Sequence, residues 1–309
     1  MAYRSGPYRG VFGSTLEPCN QLKGRANILG IHNKRHLLVG VVAVALLAAA
    51  VVAGGAQAAT LPTLSIAITP SSATVSGAPS TAGAINVAVS DKGIKEGELI
   101  LFRLNPGRTV AEAEAFINAK KGAHDPNNTS QIGSIVFDAE ANPTATSEAQ
   151  TSLQPGLYLV LVGAGEGEPA LRGTFTVGAG ASSTPLPVAQ ATEKTVEFGF
   201  KGPTTLHDGE LVRFENEGFL VHMDIAFPVK NMKSAKAVVK DLLAGKEKGI
   251  EKFVVGPPVG FYGPLSHEAF MQETITAKPG IYVQACFMET QDKRDHTRLG
   301  MERIIKITK

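Results

Sequence analysis

The second half of the chain repeats the first, and this repeat limits the possible fold more than any other feature of the sequence. SLQPGLYLVLVG (residues 152–163) matches TAKPGIYVQACF (276–287), which sets Gly156 on Gly280, Tyr158 on Tyr282 and Val162 on Cys286. Upstream, SDKGIKEGELILFRL (90–104) matches ENEGFLVHMDIAFPV (215–229), setting Gly93 on Gly218 and Gly97 on His222. Between these blocks, TVAEAEAFINAKKG and SAKAVVKDLLAGKEKG each read as one short helix. A pattern used twice describes one folding unit made twice.

The unit reads as all-β. Val196, Phe198 and Phe200 alternate with Thr195, Glu197 and Gly199, and LVRFEN, MDIAF, IYVQAC and RIIKIT follow as further half-buried strands. Trp is absent, and 33 Gly with 18 Pro supply frequent turns, which disfavours a helix bundle. The expected architecture is two tandem Greek-key β-sandwiches, mainly antiparallel, each with a short helical insertion. They span residues 61–178 and 191–309, with the Gly/Ser/Pro-rich stretch 179–190 as a linker.

Residues 1–58 read as an N-terminal extension and a secretory signal. Asn33, Lys34, Arg35 and His36 precede LLVGVVAVALLAAAVV, and the small residues of AQA place the cut after Ala58; a retained membrane anchor is the alternative. Either way the protein is expected to be exported, to the periplasm, the cell surface or the medium. The leader holds Arg4, Arg9, Lys23, Arg25, Lys34 and Arg35 against Glu17 alone, so its removal turns a formal net charge of +2 into −3. The basic character belongs to the leader, and no nucleic-acid partner is implied. Nor is any membrane contact beyond the signal segment.

Cys19 leaves with the leader, so Cys286 stands alone in an exported chain. Such a thiol is buried, bridged to another chain, or held as a metal thiolate. The repeat favours the last. The framework Gly, Pro and Tyr occur in both halves, whereas His222, Cys286, His296 and Met301 occur only in the second. Two imidazoles, one thiolate and one thioether are the donor types of a blue-copper site, in which a trigonal His/Cys/His plane carries a weak axial Met.

Three segments make the second half similar to the cupredoxins, in particular to their plastocyanin-like members: NEGFLVH (216–222), GIYVQAC (280–286) and HTRLGM (296–301), followed by the last strand RIIKIT. The spacings G-x-Y-x-x-x-C and H-x-x-x-G-M carry the resemblance. It implies one copper ion bound equatorially by His222, Cys286 and His296 and axially by Met301, one-electron transfer rather than enzymatic turnover, and a redox partner protein met on the His296 side. It also implies that the first half is a copy without ligands. There are departures. Nine residues, FMETQDKRD, separate Cys286 from His296, a long charged insert that is expected to leave the site wetter or less rigid. Met223 stands where the family has a small polar brace, and strand parity places His222 on the wrong face unless it precedes the strand or a bulge turns it.

Two readings from other classes stand beside this one: an extracellular structural or interaction module without metal, and a copper carrier or buffer. His124, His207 and His267 read as solvated surface residues, with Met223 and Met288 as minor candidates for a second thioether. NNTS (127–130) offers a glycosylation sequon. The chain carries no G-x-S-x-G, Walker loop, dinucleotide fingerprint or paired zinc cysteines to anchor a hydrolase, nucleotide or structural-zinc reading.

Overall fold

A computed structural model describes residues 60–309 apart from 95–96, 120–125, 142–145, 165–168 and 183. The expected signal segment and His124 lie outside the described residues. In the first half, strands β1 (Thr63–Ile68), β2 (Ala73–Ser76), β3 (Thr81–Asp91) and β4 (Gly97–Leu104) lead to helix α1 (Val110–Ile117) and a 3-10 turn at Pro126–Gln131. Strands β5 (Gly133–Ala141), β6 (Ser147–Leu153), β7 (Gly156–Ala164) and β8 (Ala170–Ala181) follow.

The second half runs β9 (Ala191–Val196), β10 (Gly199–Lys201), β11 (Thr205–His207), β12 (Leu211–Asn216) and β13 (His222–Val229), then α2 (Met232–Leu243) and a 3-10 turn at Glu247–Phe253. It ends with β14 (Val259–Leu265), β15 (Phe270–Thr274), β16 (Gly280–Ala285), a 3-10 turn at His296–Leu299 and β17 (Glu302–Thr308).

Strand pairing repeats element by element. β1 runs parallel to β3 as β9 does to β12, and β3 pairs antiparallel with β6 as β12 does with β15. On the facing layer β4 lies between β5 and β7, with β8 beyond, as β13 lies between β14 and β16, with β17 beyond. The result is the expected all-β sandwich architecture with a helix after the first long strand of each facing layer. A local bond repeats too: Tyr158 donates to the carbonyl of Gln154 and Tyr282 to that of Lys278, each at 2.7 Å. In both halves the phenol thus satisfies a turn carbonyl and pins the start of the strand that follows Pro-Gly.

The helices stand on local signals. Thr109 caps α1 by accepting from Glu112 N (3.2 Å) while the Glu112 carboxylate accepts from Thr109 N (2.8 Å). Asn231 caps α2, which buries Ala235, Val238 and Leu242 along one face.

The halves are not beads on a linker. β15 and β6 meet at Gln272 and Gln150, joining their sheets edge to edge, and Gln272 Nε2 donates to Gln150 Oε1 at 2.8 Å. Ile135 N donates to Ser266 Oγ and Ser266 N to Ile135 O, both at 2.9 Å. One apolar cluster includes Ile100, Leu159 and Leu161 of the first half and Met223, Ile225, Cys286 and Met301 of the second. This explains why β4 and β13 are buried at almost every position instead of alternately, since both of their faces are covered.

A seam of this kind couples the halves in unfolding. Ile100→Ala is expected to cost ~2–4 kcal/mol and to lower a single thermal transition seen alike by circular dichroism and tyrosine fluorescence. Two resolved transitions would show that the seam does not couple them.

Candidate metal centre

The site begins with an antiparallel pair of strands. β13 and β16 pair with Ile225 opposite Ala285, so the start of β13 lies beside the end of β16. His222 opens β13 and Cys286 follows β16, which brings together side chains 64 residues apart. Pairing of β13 with β14 shifts register between His222 and Asp224 and again between Asp224 and Ile225. The extra residues of both shifts fall on β14, where Tyr262–Leu265 faces only His222–Asp224, so β13 keeps its parity and His222 stands at its first residue, where the preceding loop hands over to the strand.

The loop before His222 is organised by Asn216. Its Oδ1 accepts from Gly218 N (2.9 Å), and its Nδ2 donates to the carbonyls of Leu220 and Leu265 (2.8 Å each). Gly218 is required by space: a Cβ there would lie 2.6 Å from His222 Nε2 and 2.7 Å from Glu197 Oε1. Glu197 Oε1 itself accepts from Leu220 N (2.9 Å) and stands 3.6 Å from His222 Nε2.

The charged insert after Cys286 does not loosen the site. His296 N donates to Met288 O (2.8 Å), and Glu289 bridges Asp295, so the insert is pinched off as a closed hairpin. Inside it Thr290 N donates to Arg294 O and Lys293 N to Thr290 O (2.9 Å each), with Lys293 in the left-handed region at φ 65°. Asp292 and Arg294 pair at the tip, Arg294 Nε to Asp292 Oδ2 at 2.8 Å. Only Phe287 and Met288, both buried, separate Cys286 from the point of closure. The expectation of a wetter site is corrected: His222, Cys286, His296 and Met301 are all fully buried. A loop long in sequence is short in space because its backbone groups satisfy one another.

Three donor atoms converge. His222 Nδ1 lies 3.2 Å from His296 Nδ1 and 3.8 Å from Cys286 Sγ, and His296 Nδ1 lies 3.4 Å from Sγ. Among the described residues these three form the one group of metal-ligating side chains so closely gathered. A triangle with these edges has its centre about 2.0 Å from each corner, against metal–imidazole bonds of ~2.0–2.1 Å and metal–thiolate bonds of ~2.3 Å. The donor set therefore fits a first-row ion with slight opening at sulfur.

Met301 is tied into the same turn, its N–H donating to His296 O (3.0 Å) and its carbonyl accepting from Cys286 N (3.2 Å). Its side chain belongs to the apolar cluster that holds Cys286. Met223 and Met288 take a role that their side chains did not suggest. The N–H of Met223 donates to Sγ at 3.4 Å, and the Met288 N–H also points to the sulfur.

Burial sets the protonation states. It pushes His222 down to about 4, against the opposing pull of Glu197, and His296 down to about 3, with the His222 ring adding to the shift. It pushes the Cys286 thiol up to about 12, opposed by the Met223 and Met288 N–H groups. At neutral pH both imidazoles thus offer lone pairs, while the thiol keeps its proton until a metal displaces it. A protonated, enclosed thiol is a poor target for oxidation.

Beneath the site lies a polar network that sequence reading missed. Gln284 Nε2 donates to Glu193 (2.6 Å) and Asp224 (3.0 Å), and Arg303 pairs with Glu193 and Gln284. Burial and the adjacent Glu193 push the Asp224 carboxyl well above its ordinary range. Burial likewise raises Glu193, against the pull of Arg303. The signal was present as charged or amide residues recurring inside apolar strands, but nothing in the sequence shows which of them face one another.

His207 and His267 are exposed as expected, and both are bonded. His207 Nδ1 meets Thr308 Oγ1 (2.7 Å), and His267 Nδ1 meets Gly218 O (2.8 Å).

No family model matches this chain, and no curated protein does. Among solved structures it is similar to auracyanin B (16% identity over 40% of this chain and 93% of that one, TM-score 0.25). It is similar also to auracyanin A of Chloroflexus aurantiacus, a "blue" copper protein (15%, 38% and 96%, TM-score 0.23). The copper-containing nitrite reductase of Thermus scotoductus aligns with both halves (16%, 80% and 68%, TM-score 0.23). At such scores these likenesses carry no weight by themselves; the fold stands on strand pairing and the site on its own distances.

The protonation states give a signed pH dependence. Between pH 5 and 8 the imidazoles are neutral and the thiol protonated, so each Cu(II) bound should release one proton and affinity should rise about tenfold per pH unit. Calorimetry in buffers of different ionisation enthalpy reads the proton number, and a value near two or three would contradict neutral imidazoles. Without metal, folded-state histidine pKa values below the unfolded value of ~6.5 mean that stability is full above pH 6.5 and declines towards pH 4. Separately, Gly218→Ala should displace the His222 ring, cost ~1–3 kcal/mol and weaken metal binding.

Proposed function

We propose that the second half binds one copper ion in a type 1 site and that the protein passes single electrons to and from a partner protein. His222 Nδ1, Cys286 Sγ and His296 Nδ1 would hold the ion, with Met301 as a weaker fourth ligand. The observation that carries this reading is the pre-formed triangle of two Nδ1 atoms and one Sγ with edges of 3.2–3.8 Å, fully enclosed. Bound copper supplies the Cu(II)/Cu(I) couple. The chain supplies ligands that need little rearrangement between the two states, two N–H groups aimed at sulfur, and exclusion of water.

Enclosure favours relay over carriage, because a carrier exchanges its ion through ligands that a partner can reach. His296 lies behind the partly buried Phe198 ring, with centroids 5.2 Å apart, and the loop before His222 presents Phe219 to solvent at 83% exposure. Electrons have short, water-poor routes out on that side. In this reading the protein is an electron-transfer partner and not an enzyme. The first half is the copy without ligands, since the counterparts of His222 and Cys286 are Gly97 and Val162, which offer no donor. The leader-like segment, with its basic cluster, apolar run and AQA exit, supports action outside the cytoplasm.

The copper-loaded protein should show an intense thiolate-to-copper charge-transfer band. Cys286→Ser should abolish it and lower copper affinity by at least ~100-fold, a hydroxyl being too hard and too weakly acidic to replace a thiolate. Met301→Leu should keep the colour and raise the reduction potential. A colourless protein after copper addition, with Cys286 shown to be a free thiol, would leave the metal-free module as the better reading.

A further inference from the structure

We infer that Asn127, in the first half, is a positioning residue of the metal centre. One carboxamide ties together the two loops that deliver the ligands. This rests on the copper reading above.

Asn127 sits in the 3-10 turn at Pro126–Gln131, far in sequence from any ligand. Its Oδ1 accepts from Val221 N at 3.1 Å, the residue immediately before His222. Its Nδ2 donates to Glu289 O at 2.6 Å, across 162 residues. Glu289 follows Met288, whose N–H points to the Cys286 sulfur and whose carbonyl receives His296 N. One planar group therefore fixes the separation between the loop ahead of His222 and the loop that joins Cys286 to His296.

The chemistry needs an amide. Val221 presents a donor and Glu289 an acceptor, and only a side chain holding both functions in one plane satisfies the two together. Aspartate would keep the acceptor for Val221 and set oxygen against oxygen at Glu289. Within the second half, the residue that follows His222 is Met223, whose side chain has no such donor to offer. The brace comes instead across the seam, which makes the first half a working part of the site. The N-N-T sequon at this turn also acquires a meaning other than glycosylation, because the Asn127 nitrogen that would carry a glycan is committed to Glu289.

The test compares the full chain with Asn127→Ala and Asn127→Asp, each loaded with Cu(II). Both variants should release copper to a chelator ~10–100-fold faster than wild type, with a broadened or shifted thiolate band and altered paramagnetic resonance. Asn127→Asp, which keeps the Val221 bond, decides the matter if Asn127→Ala does not fold. A lower melting temperature with wild-type band, resonance and release rate would make Asn127 merely structural and overturn the proposal. If wild type itself gives no thiolate band, the copper reading has failed, and the brace is then judged without metal. Hydrogen exchange at the Val221 amide should be at least ~10-fold faster in Asn127→Ala, and modification of Cys286 by a thiol reagent at least ~10-fold faster in both variants; unchanged rates would overturn it.

Discussion

Everything at the candidate metal centre depends on the antiparallel pairing of β13 with β16. Ladder bonds between these strands set His222 beside Cys286 and aim the Met223 N–H at the sulfur. A shift of one residue would invert every side chain on β16 and send Cys286 to the opposite face. The register is held from both sides, by the apolar positions of each strand and by β17 and β14 beyond them. The ligands at the strand ends thus inherit the stiffness of a sheet and not the freedom of loops.

Enclosure is the second constraint, and it is a joint product of the two halves. Both β4 and β13 are covered on two faces, so the cluster that holds Cys286 continues into the first half. The same desolvation keeps the imidazoles neutral and the thiol protonated. It also raises the cost of an unpaired polar group, which favours the Glu193–Gln284–Arg303 network and the reach of Asn127 between two backbone groups. The first half thus helps to enclose the candidate site, through packing and through hydrogen bonds that cross the seam.

Much of this was legible in the sequence. The matched Pro-Gly-x-Tyr blocks anticipate β7 and β16, and the two helix-like segments between the matched blocks anticipate both helices. His222, Cys286, His296 and Met301 could be chosen because they break the symmetry of the repeat. The fate of FMETQDKRD was not legible, since composition shows its charge but not the backbone bonds that close it into a hairpin. Nor was Asn127, which lies in a turn that reads as a sequon.

By itself the sequence determined what is local or periodic: strands from alternation, helices from spacing, the repeat from residues that turns and strand starts require, and a choice of candidate donors. Tertiary structure decided what depends on residues far apart in the chain. It chose the place of His222 at the head of β13, the triangle that brings three donor atoms within bonding distance of one point, and the Asn127 carboxamide that spans two loops. The reason is physical. Local propensities fix torsion angles over a few residues, whereas the spacing of ligands 64 residues apart is set by sheet register and by the packing of one half on the other.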